Sequence, residues 1–313
     1  MTGRGSFNAL RLSCGLASIA IIFQILLGAL VRLTGSGLAC PDWPLCYGLW
    51  FPTETALAGI QSVDYSFGQV MLEWGHRLNA AAVVSPLIVT IFLFAWRERG
   101  VSPITAQLSI ATLVVLALQG AAGGLTVFDQ NSAWSVATHL GLALLLLSLV
   151  ISMFRMREMS KFNWKTRTHQ NSCQVISLLI GLVVATMVSG AVMAKVGATF
   201  SCAGWPLCNG QLIPNVGDSG VVFHLIHRFL ALMTLIGVLL FACWMHTLRH
   251  LAVLVILQIL VGAGVAMIYA GNSVTLHIAI GVLHQFFAVM VFAALVWLFW
   301  TPVPASSVGC STK

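Results

Sequence analysis

Long apolar runs separated by short polar segments dominate the chain. Eight runs stand out, at about 12–31, 69–96, 104–128, 133–154, 173–196, 221–247, 251–270 and 273–300, each near the roughly 20 residues that carry a helix across a bilayer. The first run follows Arg4 and Arg11, as the core of a signal peptide would. Its length and the lack of a small-x-small cleavage site near its end predict a retained helix instead. The pattern predicts an all-α integral membrane protein with eight transmembrane helices.

Composition narrows the choice further. The 313 residues are 59% hydrophobic and 7% charged, with a mean hydropathy of +0.96. Soluble domains carry roughly 25% charged residues, so a soluble protein is excluded. The net charge is +7, but the basic residues lie between apolar runs and form no single patch, which excludes a nucleic-acid binder. With eight spans, both termini fall on one side. That side holds Arg4, Arg11, Arg97, Arg99, Arg155, Arg157, Lys161, Lys165, Arg167, Arg249 and Lys313, and the other only Arg32, Arg77, Lys195 and Arg228. This bias predicts cytoplasmic termini and outward-facing loops at 32–68 and 197–220. No Arg- and Ser-rich presequence is visible, which points to a bacterial inner membrane.

The chain also resembles itself. Cys40-Pro-Asp-Trp-Pro-Leu-Cys46 returns 162 residues later as Cys202-Ala-Gly-Trp-Pro-Leu-Cys208, and Gly28-Ala29 returns at the same offset as Gly190-Ala191. Glu73-x-x-His76-Arg77 is answered by His224-x-x-His227-Arg228, and Leu118-Gln119 with Gly123 by Leu257-Gln258 with Gly262. Four helices per half preserve topology, so the repeat is parallel. The expected architecture is two pseudo-symmetric four-helix bundles side by side, at 1–160 and 161–313.

Ionisable residues within a bilayer are costly, about 2.5–3.5 kcal/mol each on the insertion scale, so the histidines inside the runs are informative. His76, His139, His227, His277 and His284 fall within spans, and His224 lies near the outer end of the sixth. His169, His246 and His250 sit at cytoplasmic ends or loops. Two histidines facing each other from neighbouring helices can bind heme iron from both sides of the porphyrin. Each half would then hold one porphyrin, through His76 with His139 and through His227 with either His277 or His284. Counting from Gln119 and Gln258 favours His277, whereas counting from the cytoplasmic end favours His284. The plainer alternative is that these histidines only hydrogen-bond between helices. Zinc fits less well, since no His-x-x-x-His or carboxylate cluster completes a site.

Glu73 has no counterpart in the second half, where His224 takes its place. A carboxylate there can relay protons or stabilise positive charge, or simply neutralise Arg77 one turn away. Arg77 and Arg228 are candidates for binding porphyrin propionates. The outer pairs Cys40/Cys46 and Cys202/Cys208 can form disulfides, each adding about 2 kcal/mol by loop entropy. Redox exchange or thiolate metal binding would use the same residues. Cys14, Cys173, Cys243 and Cys310 read as small apolar side chains.

Taken together, Gly35-Ser-Gly-Leu-Ala-Cys40-Pro-Asp-Trp-Pro-Leu-Cys46, Glu73-Trp-Gly-His76-Arg77, Thr138-His139-Leu-Gly, His224-x-x-His227-Arg228 and His284-Gln285 resemble the heme A synthase family. The resemblance implies oxidation of the C8 methyl of heme O to a formyl group. It implies heme O bound in the N-terminal half, with Glu73, His76 and His139 serving catalysis and substrate. It also implies a resident heme b in the C-terminal half, held by His227 and His284 with His277 as the alternative. Expected partners are the lipid bilayer, a heme O synthase as substrate donor and an electron acceptor. The Gly-rich stretch Gly120–Gly124 leaves room for close helix packing in a homo-oligomer. The rival reading is a two-heme membrane cytochrome for quinol-linked electron transfer.

Overall fold

A computed structural model of the chain describes residues 3–60, 63–156, 167–212, 214–245, 248–268 and 273–301. His246, Cys310, Arg157, Lys161, Lys165 and Lys313 lie outside the described residues, as do the side chains of Arg4, Arg167, His169 and Cys243. The described residues are all-helical apart from loops and isolated bridges. In chain order they form α1 (Gly3–Leu33), a short α2 (Glu54–Ala58), α3 (Phe67–Asn79), α4 (Ser85–Arg97), α5 (Pro103–Phe128), α6 (Ala133–Met156), α7 (Arg167–Lys195), α8 (Ser219–Trp244), α9 (Leu248–Met267) and α10 (Val274–Phe299). Among the described residues, eight helical stretches are long and apolar enough to cross a membrane: Asn8–Leu33, Phe67–Arg97, Pro103–Phe128, Ala133–Met156, Asn171–Lys195, Ser219–Ala242, Leu248–Met267 and Val274–Phe299. This is a multi-pass membrane protein.

Local chemistry sets the helix ends. Ser66 and Gln69 close a reciprocal capping box at the start of α3, and Pro103 opens α5 where its missing N–H costs nothing. Asp218 caps α8 by accepting the Gly220 N–H at 2.8 Å. The surface inverts that of a soluble protein. Large apolar side chains such as Ile19 and Leu240 are about two-thirds exposed, whereas Thr105, Ser109 and Thr112 of α5 are buried. Their hydroxyls are satisfied locally: Ser109 donates to the Ala106 carbonyl, Thr112 to the Leu108 carbonyl, and Thr105 pairs with Ser102.

One span departs from the single helix the sequence predicts. Between α3 and α4 the chain makes a π-helical turn over Ala80–Val84. Pro86 explains it, because it lacks the N–H for a bond to residue 82 and its ring would strike that carbonyl. The chain widens instead, and Ser85 sends both its backbone N–H and, at 2.8 Å, its hydroxyl to the Ala80 carbonyl.

The chain divides into two compact units, Met1–Phe154 and Arg155–Lys313. In the first, α1 packs on α3 and α4, and α4 on α5. His139 of α6 lies against Gly123 of α5, and the Phe154 ring against Gly15 of α1, which closes the circuit. In the second, α7 packs on α8, α8 on α9, α9 on α10, and α10 on α7. Each unit is thus a four-helix ring with one interior, where histidines can meet.

Candidate functional site

Each interior is lined by histidines seated on glycines. Built onto the helix backbone, a Cβ at Gly28 would lie 3.0 Å from Cε1 of His76, and one at Gly123 would lie 3.2 Å from Cε1 of His139. In the second unit the same distances are 2.9 Å from Gly190 to His227 and 2.7 Å from Gly262 to His284. One turn before each glycine, on the same helix face, stands a polar residue that reaches the same imidazole. Gln24 Nε2 is 3.1 Å from both ring nitrogens of His76, Gln119 Nε2 is 3.3 Å from His139 Nε2, and Gln258 Nε2 is 3.3 Å from His284 Nε2. The fourth histidine uses backbone: His227 Nδ1 donates to the Thr186 carbonyl at 3.0 Å, with Ser189 Oγ 3.2 Å away.

These contacts distinguish two histidines that counting along the chain leaves open. His284 shares the Gln258–Gly262 seat and its ring centre lies 6.4 Å from that of His227. His277 packs instead on the ring of Phe200, 5.1 Å between centres. Two imidazoles on opposite sides of one iron, each with its nitrogen about 2 Å from the metal, have ring centres a little over about 6 Å apart. The His227–His284 spacing fits that arrangement. The Nδ1–H bond to the Thr186 carbonyl also leaves Nε2 of His227 for a metal. In the first unit His76 and His139 come from α3 and α6 and are near enough to interact electrostatically. His139 Nδ1 and Gln119 Oε1 are buried without a hydrogen-bond partner among the described residues. A ring turned to donate to that oxygen would present its other nitrogen to a metal. Among the described residues no three His, Cys, Asp or Glu side chains cluster as a metal site.

Above each interior sits a disulfide-closed loop. Cys40–Cys46 and Cys202–Cys208 are bonded, and all four residues are buried. Each loop contains a cis Trp–Pro bond and ends in a two-residue reversal, Tyr47-Gly48 or Asn209-Gly210, in which both residues have positive φ. Such a reversal favours Asn-Gly, which the second loop has. The first compensates through Asp42, whose carboxylate accepts the N–H groups of Tyr47 at 2.6 Å and Gly48 at 2.8 Å. The ring of Trp43 lies on Gly124 of α5, where a Cβ would approach to 3.1 Å.

The two arginines hold these loops. Arg77 donates to the carbonyls of Cys40 (3.0 Å), Asp42 (2.5 Å) and Leu45 (2.6 Å). Arg228 donates to those of Cys202 (3.0 Å), Gly204 (2.7 Å), Leu207 (3.2 Å) and Pro206 (3.4 Å). Propionates reaching these guanidinium groups would compete with the loop carbonyls. Glu73 is the point where the units differ. It is 4% exposed, Oε1 pairs with Arg77 at 2.5 Å, and Oε2 accepts the Cys40 N–H at 2.8 Å. His224 of α8 is equally buried, but its Nδ1 has no hydrogen-bond partner among the described residues. One unit therefore places a fixed carboxylate beside its histidines and the other places an imidazole.

The class that emerges is a multi-pass membrane protein whose helices gather histidines in their interiors beside small covalently closed loops. Its family follows from comparison: the family model COX15-CtaA, described as cytochrome oxidase assembly protein, matches residues 12–296, and the chain belongs to that family. The chain is similar to the heme A synthase of Alkalihalophilus pseudofirmus, at 28% identity over 297 residues, covering 90% of this chain and 94% of that protein. It is also similar to the heme A synthases of Geobacillus kaustophilus, at 29% with 90% and 87% covered, and Staphylococcus haemolyticus, at 29% with 90% and 91% covered.

Proposed function

We propose that this protein oxidises the C8 methyl group of heme O to a formyl group and so makes heme A. The observation that carries the reading is Glu73, a buried carboxylate one helical turn from His76 and held at both oxygens. Family membership and the similarity to named heme A synthases support it. The contacts shared by the two units support treating the chain as a parallel repeat in which one half works and the other assists.

In this reading heme O lies in the first unit between His76 and His139, with its farnesyl tail toward the lipid. The methyl carbon gives up two electrons and a proton, and the water that adds to it gives up a second proton, leaving an alcohol; the electrons pass to the acceptor. A second such oxidation gives a gem-diol, which loses water to leave the aldehyde. Glu73 stabilises the positive charge that develops at carbon, and Arg77 and the Cys40 N–H keep its carboxylate aimed. His227 and His284 would hold heme b, which supplies one-electron transfer toward an unidentified acceptor. Arg77 and Arg228 give the outer mouths positive potential toward propionates. The substrate arrives from a membrane heme O synthase, and the charge bias along the chain supports cytoplasmic termini in a bacterial inner membrane.

The first test is to express the chain with a source of heme O, purify it and identify the extracted porphyrins by chromatography and mass. Heme b together with heme O, its alcohol and heme A is expected. Heme b alone would replace the proposal with an electron-transfer cytochrome, and a colourless protein would remove both. A second prediction concerns the seats. Gly190→Ala would set a methyl group 2.9 Å from Cε1 of a ring already tied to Thr186, so His227 must move. Heme b affinity is expected to fall about tenfold, read as heme retained per polypeptide; unchanged retention would show that the glycine is not needed for the seat.

A further inference from the structure

The polar residues around the two interiors differ on the side of the histidine away from Glu73. In the first unit Asn79, one turn beyond His76, donates through Nδ2 to Gln24 Oε1 at 2.6 Å, and Gln24 Nε2 donates to the His76 carbonyl at 3.0 Å. The Asn79 side chain makes no other hydrogen bond among the described residues, which leaves its Oδ1 as an acceptor. The positions matched by the repeat offsets in the second unit are Thr186 and Leu230. An amide pair in the hydrocarbon depth of a membrane protein is costly unless something uses it. Glu73, His76 and Asn79 follow one another at three-residue spacing, so each stands about 4.5 Å further along α3 and is turned about 60° from the last, with His76 between the other two.

The chain just beyond Asn79 differs in the same way. The first unit has the π-turn, with Ala81, Ala82 and Val83 exposed. Over the matched stretch α8 runs on as a regular helix and carries Leu232 and Met233. The first unit therefore offers a hydrogen-bond acceptor followed by a widened, small-residue helix turn, and the second offers neither. Heme O differs from heme b in bearing a hydroxyethylfarnesyl arm where heme b has a vinyl group. The arm needs a partner for an alcohol and then room for a bulky chain.

We propose that Asn79, braced by Gln24, accepts a hydrogen bond from the alcohol of the substrate's hydroxyethylfarnesyl arm, and that the π-turn lets the tail pass to the lipid. This assigns to Asn79 the choice of heme O over heme b in the first unit, and it rests on the function proposed above. Gln24 acts through Asn79 and the His76 turn as a positioning residue. Discrimination arises because a vinyl group would leave the half-buried Asn79 Oδ1 without a donor.

The test compares wild type, Asn79→Leu and Asn79→Ser, each expressed in cells supplying both heme b and heme O. The readouts are the ratio of heme O, its alcohol and heme A to heme b in the extracted porphyrins, and the visible spectrum of the intact protein. For Asn79→Leu the ratio is expected to fall about threefold to tenfold, while total porphyrin and the low-spin spectrum persist as heme b fills the first unit. Asn79→Ser, which keeps an acceptor, is expected to recover most of the ratio. An unchanged ratio in Asn79→Leu would overturn the proposal. So would an equal loss of both porphyrins, which would make the amide pair helix packing alone. If wild type itself yields no heme O, alcohol or heme A, it is the proposed activity that fails.

Discussion

Glu73→Gln is expected to keep its porphyrins and lose its product, with formyl formation slowed about a hundredfold to a thousandfold. The amide is nearly the size of the carboxylate and can still accept the Cys40 N–H, so the loop stays seated. What disappears is the negative charge. In the buried site no water replaces it, and a cationic methyl carbon would face the Arg77 guanidinium without a counter-charge. Heme O or its alcohol should then accumulate in the extracts. Arg77 keeps three loop carbonyls, so the fold should survive, which an unchanged low-spin spectrum would verify. Glu73→Asp, with the charge kept but drawn back by one methylene, should fall between the two. Full formyl formation by Glu73→Gln would take this residue out of the chemistry.

The second large effect separates two histidines on one helix. His284→Ala is expected to abolish the low-spin heme b signal of the second unit, and His277→Ala to leave it. Removing one of two axial nitrogens opens the iron to added carbon monoxide and weakens retention. His284 is the residue that would hold the proposed heme b, because it shares a seat with Gln258 and Gly262 on α9 and the His227 ring lies 6.4 Å away. His277 lies two turns earlier against Phe200, and its loss removes only that ring contact. Carbon monoxide difference spectra of the two variants decide the matter. The opposite pattern would assign the ligand to His277.

The eight spans were legible because a bilayer demands long apolar runs whatever their tertiary partners. The disulfide pairing was legible because only five residues lie between the cysteines of each pair and the motif occurs twice. Counting could not separate His277 from His284, chiefly because His139 is the seventh residue of α6 whereas His284 is the eleventh of α10. The repeated Gln-x-x-x-Gly of α5 and α9 was visible in the chain. Its meaning was not, because a seat is formed by a neighbouring helix pressing a ring onto it. Arg77 and Arg228 read as anion binders from charge alone, whereas backbone carbonyls, which every residue carries, take up their donors. Gln24 and Asn79 are 55 residues apart in sequence, and only the packing of α1 on α3 brings them together. The run 69–96 read as one uninterrupted helix, and the π-turn before Pro86 emerges only with the Ser85 donors on the Ala80 carbonyl.

Each loop-holding arginine is the immediate chain neighbour of a proposed iron ligand: Arg77 follows His76 and Arg228 follows His227. Between the disulfide-closed loop and the proposed metal, the linkage is therefore one peptide unit long. The first loop runs on to Trp50 and Phe51, which are 72% and 66% exposed, and the Trp50 carbonyl is bound by the indole N–H of Trp74 on α3. A displacement of that rim would reach the same stretch of α3 that carries the imidazole. If the proposed porphyrin is bound there, its visible spectrum would report such a displacement without any label.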